Sequence, residues 1–225
     1  MTELSFLTAT ELAPLIQAKE LSPVDLTKHV LNRIEKIDPT INAYITPLNE
    51  LALKQAKEAE TDIMNSRYKG PLHGIPLGIK DNYSTEGIQT TAGTKLYADP
   101  IPSESATAVT KLLSAGGIMI GKLNMHQQGD GSTGINPFYG AVKNPWNIDH
   151  MTGGSSSGSA ASLATGLATI TTGTDTWGSN RIPAAMCGVY GLNLPMDLSV
   201  HIRLFPPPIH WITLVHMHVQ LRMWH

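Results

Sequence analysis

One cysteine in 225 residues excludes an internal disulfide. A lone thiol usually serves as a small apolar filler, so Cys187 is read as a buried structural residue and not a nucleophile. Charge is scarce as well: Asp, Glu, Lys and Arg make up 15% of the chain and sum to a formal −2. A chain of that kind has no basic field to hold a phosphate backbone, which excludes direct nucleic-acid binding. There is no apolar run long enough to cross a membrane, and Met1-Thr-Glu-Leu opens with neither a basic nor an apolar region. The expectation is a soluble, cytoplasmic protein with no membrane partner. Residues 193–225 contain no glycine, alanine or lysine, yet hold five of the nine histidines and two of the four tryptophans. That abrupt change of composition marks a segment unlike the rest.

What the chain does have is concentrated between Gly153 and Ala185, where two serine clusters are embedded in glycine. Gly153-Gly154-Ser155 and Gly178-Ser179 are places where the backbone can turn sharply and offer N–H groups to a bound oxygen. A Gly/Ser-rich stretch can also be a flexible linker. Asp175, Arg181 and Pro183 argue against that here. No G-x-x-x-x-G-K-[ST] pattern is present, so phosphate binding is not indicated.

The remainder reads as alternating helices and strands. Helices are predicted from Thr8 or Thr10, from a Ser22 N-cap with Pro23 at the first position up to Asp38-Pro39, from Leu48 to Ser66, from a Ser105 cap to Leu113, and from Ser157 to Leu167. Strands are predicted over 74–80, 118–120 and 168–172, with a loop-rich segment over 121–146. This pattern points to an α/β architecture with a largely parallel sheet flanked by helices. Lys80 directly follows a continuous apolar strand. Burial there disfavours the ammonium and can yield a neutral base.

GGSSSGSAA followed by GTDTWGSNRIPAAMCGVYGL resembles the signature of the amidase signature family, and GIPLGIKDN at 74–82 resembles that family's lysine motif. KLNM and YGAVKNPWN are similar to it too, and Asn144-Pro145-Trp146 is expected to wall the site below the serine loops. The resemblance implies a Ser-Ser-Lys triad. Matched position by position, Lys80 is the base, Ser155 the bridging serine behind a cis peptide bond, and Ser179 the nucleophile. Backbone N–H groups of Thr176, Trp177 and Gly178 would form the oxyanion hole, with Asp175 and Arg181 bracing the loop. The implied reaction is hydrolysis of a small-molecule carboxamide through an acyl-enzyme, with no metal and no cofactor. Trp177 and Asn180 depart from the family, which has glycine and an apolar residue there. Either change is expected to harm the site.

Family members are about twice as long, so residues 1–192 read as a partial amidase domain: N-terminal helices over 1–66 and the first part of the catalytic core over 67–192. Asn193-Leu-Pro-Met-Asp197 is what K-L-T-Y-G becomes when one base is lost from an AAA codon, and the family continues from G-L with K-P-T-Y-G. In the restored frame, residues 210–218 permit L-D-H-(I/V)-G-P, similar to the family's next segment. Residues 193–225 are therefore expected to be an irregular out-of-frame tail. A strand over His216 and His218 would put both rings on one face, but a third metal ligand is not in view. Three functions remain: a stand-alone amidase, the glutaminase component of a tRNA-dependent amidotransferase with its partner subunits, and a non-enzymatic fragment. His126-Gln-Gln128, in place of an acidic residue and an aromatic after KLNM, favours the first. As given, the chain is expected to be poorly soluble and inactive.

Overall fold

A computed structural model describes residues 4–96 and 100–193 and the backbone of 213–218. Helix α1 (Ala9–Gln17) begins at a capping box, in which the Thr8 side chain accepts the Glu11 N–H and the Glu11 carboxylate accepts the Thr8 N–H. Helix α2 (Pro23–Ile41) is capped by Ser22 Oγ, which accepts from the amides of Val24 and Asp25. It does not stop at Asp38-Pro39. Proline removes one donor but lies in the last turn, where the Asp38 carboxylate accepts the N–H groups of Ala43 and Tyr44. Asn42, left-handed at φ 62°, ends the helix.

Strand β1 (Tyr44–Pro47), helix α3 (Asn49–Met64), strand β2 (Pro76–Lys80), helix α4 (Thr107–Ser114) and strand β3 (Ile118–Leu123) follow. Ser105 does not cap α4; its hydroxyl accepts the Glu86 N–H, and Ala106 holds the cap position. A short hairpin, β4 (Lys143–Asn144) and β5 (Asn147–Met151), interrupts the long loop. Helix α5 (Ser157–Ala164), strand β6 (Ile170–Asp175), helix α6 (Arg181–Cys187), strand β7 (Tyr190–Gly191) and strand β8 (Thr213–His218) complete the order.

The main sheet runs β1-β3-β2-β6-β8-β7. Its centre, β3-β2-β6, is parallel, while β1, β8 and β7 pair antiparallel. All residues of β2, β3 and β6 are buried, as parallel strands covered on both faces should be. One apolar cluster joins α1 and α4 to Leu77, Ile79 and Met119; the other joins α2, α3 and α5 to Ile118, Ile120 and Leu123.

The segment expected to be irregular contributes β8. Thr-Leu-Val suits a strand, and β6 otherwise presents an open edge for it to pair with. The rest of that segment, 194–212 and 219–225, lies outside the described residues, as do the side chains of His216 and His218. No described helix is long and apolar enough to cross a membrane.

Candidate active site

Three chain segments meet beyond the carboxyl end of β2. Lys80, its last residue, is wholly buried, and its Nζ lies 2.8 Å from Ser155 Oγ, 2.8 Å from Ser156 Oγ and 2.7 Å from Thr174 Oγ1. Its backbone N–H donates to Thr172 Oγ1 on β6. Burial brings the Lys80 amine down to about 7, against the pull of the Asp175 carboxylate in the other direction. All three neighbours of Nζ are hydroxyls, which can donate or accept. The cradle therefore accommodates both the ammonium and the neutral amine.

The serine run is held by backbone bonds on either side. The peptide bond between Gly154 and Ser155 is cis. His126 N–H donates to Ser155 O at 3.0 Å, and Ser156 N–H to Ser179 O at 3.0 Å, so the serine run, the loop after β3 and the Gly178-Ser179 turn are tied together. Gly158 lets α5 come flush against the neighbouring backbone. A Cβ there would lie 2.5 Å from Asn124 O and would clash with Ala43 O, where the Gly158 N–H now donates to Asn124 O at 2.9 Å.

Asp175, at the end of β6, organises the third segment. Its Oδ1 accepts the Gly178 N–H at 2.8 Å, and its Oδ2 lies 2.9 Å from Arg181 Nε. Burial works to raise the Asp175 carboxyl, but the Arg181 guanidinium and the Gly178 amide outweigh it and hold the group below the usual carboxylate range. The Gly178 amide is thereby turned inward. Of the three expected oxyanion donors, only Thr176 and Trp177 keep N–H groups unclaimed by that carboxylate. Ser179 is half-buried, and no hydrogen bond to its hydroxyl is formed among the described residues. Lys80 and Ser155 are thus directly joined, whereas Ser179 reaches the pair through its carbonyl alone.

The two unusual residues differ in consequence. Trp177 is 87% exposed and takes none of the left-handed φ values seen among the described residues, so its indole stands in solvent and does not fill the loop. Asn180 is fully buried, and neither atom of its carboxamide has a partner. It presses on β6 so closely that a Cβ on Gly173 would collide with its Oδ1.

Ser156 and Thr174 escaped the sequence reading. Their signal was position: one follows Ser155 in the run, and the other precedes Asp175 in the GTD triplet. Asn144 and Trp146 do not border the lysine cradle. Asn144 Nδ2 donates to the carbonyls of Met151 and Met186, and Trp146 Nε1 to that of Cys187, which fastens the β4–β5 hairpin to α6. Cys187 is buried, and burial pushes its thiol up to about 12. Among the described residues, no group of three or more His, Cys, Asp or Glu could hold a metal ion.

The family model described as Amidase matches residues 25–195. The chain belongs to the amidase signature family. Over 190 residues this amidase is 45% identical to the A-type subunit of glutamyl-tRNA(Gln) amidotransferase from Carboxydothermus hydrogenoformans, covering 84% of its own length and 39% of the relative's. Among solved structures it resembles the peptide amidase of Stenotrophomonas maltophilia, with a TM-score of 0.87 at 34% identity over 94% of this chain and 45% of that one. Fatty acid amide hydrolase gives a TM-score of 0.89 at 29% identity over 96% and 39%. The α/β architecture is therefore part of the amidase signature fold, and the chain spans less than half the length of these relatives.

Proposed function

We propose that the chain carries the acyl-transfer centre of an amide hydrolase, with Ser179 as nucleophile, Ser155 as bridge and Lys80 as base. The observation that carries this reading is the buried amine of Lys80 among three hydroxyls. A neutral amine has two hydrogens and one lone pair. The Ser156 hydroxyl can give its hydrogen to Thr174 O, which leaves its oxygen free to accept one from Lys80. Thr174 Oγ1 accepts from Asn82 Nδ2 and can accept the second. The lone pair then falls to Ser155, whose proton Lys80 takes as Ser155 in turn takes that of Ser179.

Ser179 Oγ bonds to the amide carbon, and the carbonyl oxygen, now negative, is met by the N–H groups of Thr176 and Trp177. Lys80 then returns its proton through Ser155 to the departing nitrogen. The C–N bond breaks, and water later cleaves the acyl-enzyme. Turnover on a carboxamide is assigned to a full-length domain, in the cytoplasm, and this chain alone is expected to acylate without efficient turnover.

A second reading has its own support. The 45% identity to a component of glutamyl-tRNA(Gln) amidotransferase favours a glutaminase working with partner subunits, against the preference drawn from His126-Gln-Gln128. Partner pull-down with the chain as bait tests it.

The acylation reading is tested with p-nitrophenyl acetate. A burst of about one equivalent of p-nitrophenolate is expected, absent in Ser179→Ala. No burst, or an equal burst in Ser179→Ala, contradicts it.

A further inference from the structure

Beside Lys80 the fold buries a second lysine. A bulge in β3 at Met119 to Gly121 resets the alternation of side chains, so that Ile79 pairs with Lys122 and Lys80 with Leu123. Ile79 belongs to the apolar cluster of α1 and α4, and Leu123 to that of α2 and α5. Lys122 therefore stands on the face of the sheet opposite to Lys80.

Its surroundings are also opposite in kind. Lys122 Nζ lies 2.8 Å from Tyr83 O, 2.7 Å from Thr90 Oγ1 and 3.2 Å from Asp81 Oδ1. A carbonyl and a carboxylate can only accept, and the Thr90 hydroxyl can give its own hydrogen to Ile88 O or Tyr83 O. Three acceptors require three donors, which is an ammonium. Both side chains of the Asp81–Lys122 pair are within 1% of complete burial. Asp81 is further held at Oδ2 by the N–H and hydroxyl of Thr91, and its carbonyl accepts the Ala92 N–H at 3.0 Å. Breaking a buried pair of this sort by removing one partner leaves an uncompensated charge.

Asp81 is the residue directly after Lys80. We propose that the Asp81–Lys122 pair is a positioning device for the Lys80 amine: it anchors the next residue to the far face of β2 and keeps the charge beside the amine balanced. The proposal rests on the reading of Lys80 as base, but its test needs neither substrate nor turnover. The other charged groups near Lys80 are Asp175 from β6, itself paired with Arg181, and His126 from the loop after β3, with Asp130 beside it.

The test is a pH titration of the Lys80 Cε resonance in the full chain labelled with 13C-lysine, assigned by its loss in Lys80→Met. Lys122→Met leaves the Asp81 carboxylate alone and is expected to raise the midpoint by about one unit. Asp81→Asn leaves the Lys122 ammonium alone and is expected to lower it by about one unit. The double variant Asp81→Asn/Lys122→Met, with no buried charge at the pair, is expected within about half a unit of the parent. Opposite shifts from two variants that break the same pair are not what simple loosening would give. Shifts of the same sign, or no shift in whichever single variants fold, overturn the proposal. A parent midpoint near the ordinary lysine value would instead count against Lys80 as base, leaving the differences between variants to decide the role of the pair.

Discussion

Lys80 Nζ stands 2.8 Å from Ser155 Oγ, and that contact is the one hydrogen bond formed by the Ser155 hydroxyl among the described residues. Removing it by Ser155→Ala should interrupt the proton path and slow acylation by p-nitrophenyl acetate about 10³-fold or more, since members of such a relay act as a unit. Thr174→Val keeps the side-chain shape and deletes one acceptor from the cradle. It should slow the burst about tenfold, in line with the loss of one hydrogen bond of roughly 1.5 kcal/mol. Stopped-flow traces check both. A Ser155→Ala burst within a few-fold of the parent would contradict the relay.

Asn180 buries a carboxamide with both ends unpartnered, which costs about 1–3 kcal/mol relative to a satisfied or apolar group. Asn180→Leu, close in shape, should therefore stabilise the chain. With roughly 2–4 °C per kcal/mol for a chain of this size, the melting temperature should rise by about 4 °C or more. A calorimetric scan showing a fall would mean that the carboxamide is satisfied by something bound there.

The buried lysine and the two glycine-flanked serines were legible because each breaks a local pattern: a charge at the end of an apolar strand, and serines where the backbone must bend. The order of helices and strands was legible from caps and periodicity, as at Thr8 and Ser22. Pro39 and Ser105 misled for one reason. Local propensity put a helix end at Asp38-Pro39 and a cap at Ser105, but the Asp38 carboxylate and the Ser105 hydroxyl were taken by amides several to many residues away. Lys122 was hidden because its facing depends on a bulge in β3, and a bulge has no signature in a single sequence. The inward turn of the Gly178 amide was hidden likewise, since it follows from where Asp175 lies in space.

An apolar surface borders the hairpin and the end of α6. Trp146, Ile148, Met151, Tyr190 and Leu192 are each at least half exposed, and β5 is exposed along its whole length. Exposed apolar clusters of this kind drive association. In sedimentation velocity the chain should form concentration-dependent oligomers and bind a hydrophobic dye, and Ile148→Thr/Met151→Thr should move it toward monomer. A dye-silent monomer at all concentrations would contradict this.

The central claim is that neutral Lys80 activates Ser179, and the pH dependence of fluorophosphonate labelling reads it most directly. Burial brings the Lys80 amine from 10.5 to about 7, so the neutral, proton-accepting form grows as pH rises through that value. The rate of labelling, mapped by tandem mass spectrometry, should be low at pH 5, rise with a midpoint near 7 and level off above it. The adduct should sit on Ser179, and the pH-dependent rise should vanish in Lys80→Met. Labelling that is independent of pH between 5 and 9, that persists unchanged in Lys80→Met, or that falls on another serine would contradict the account.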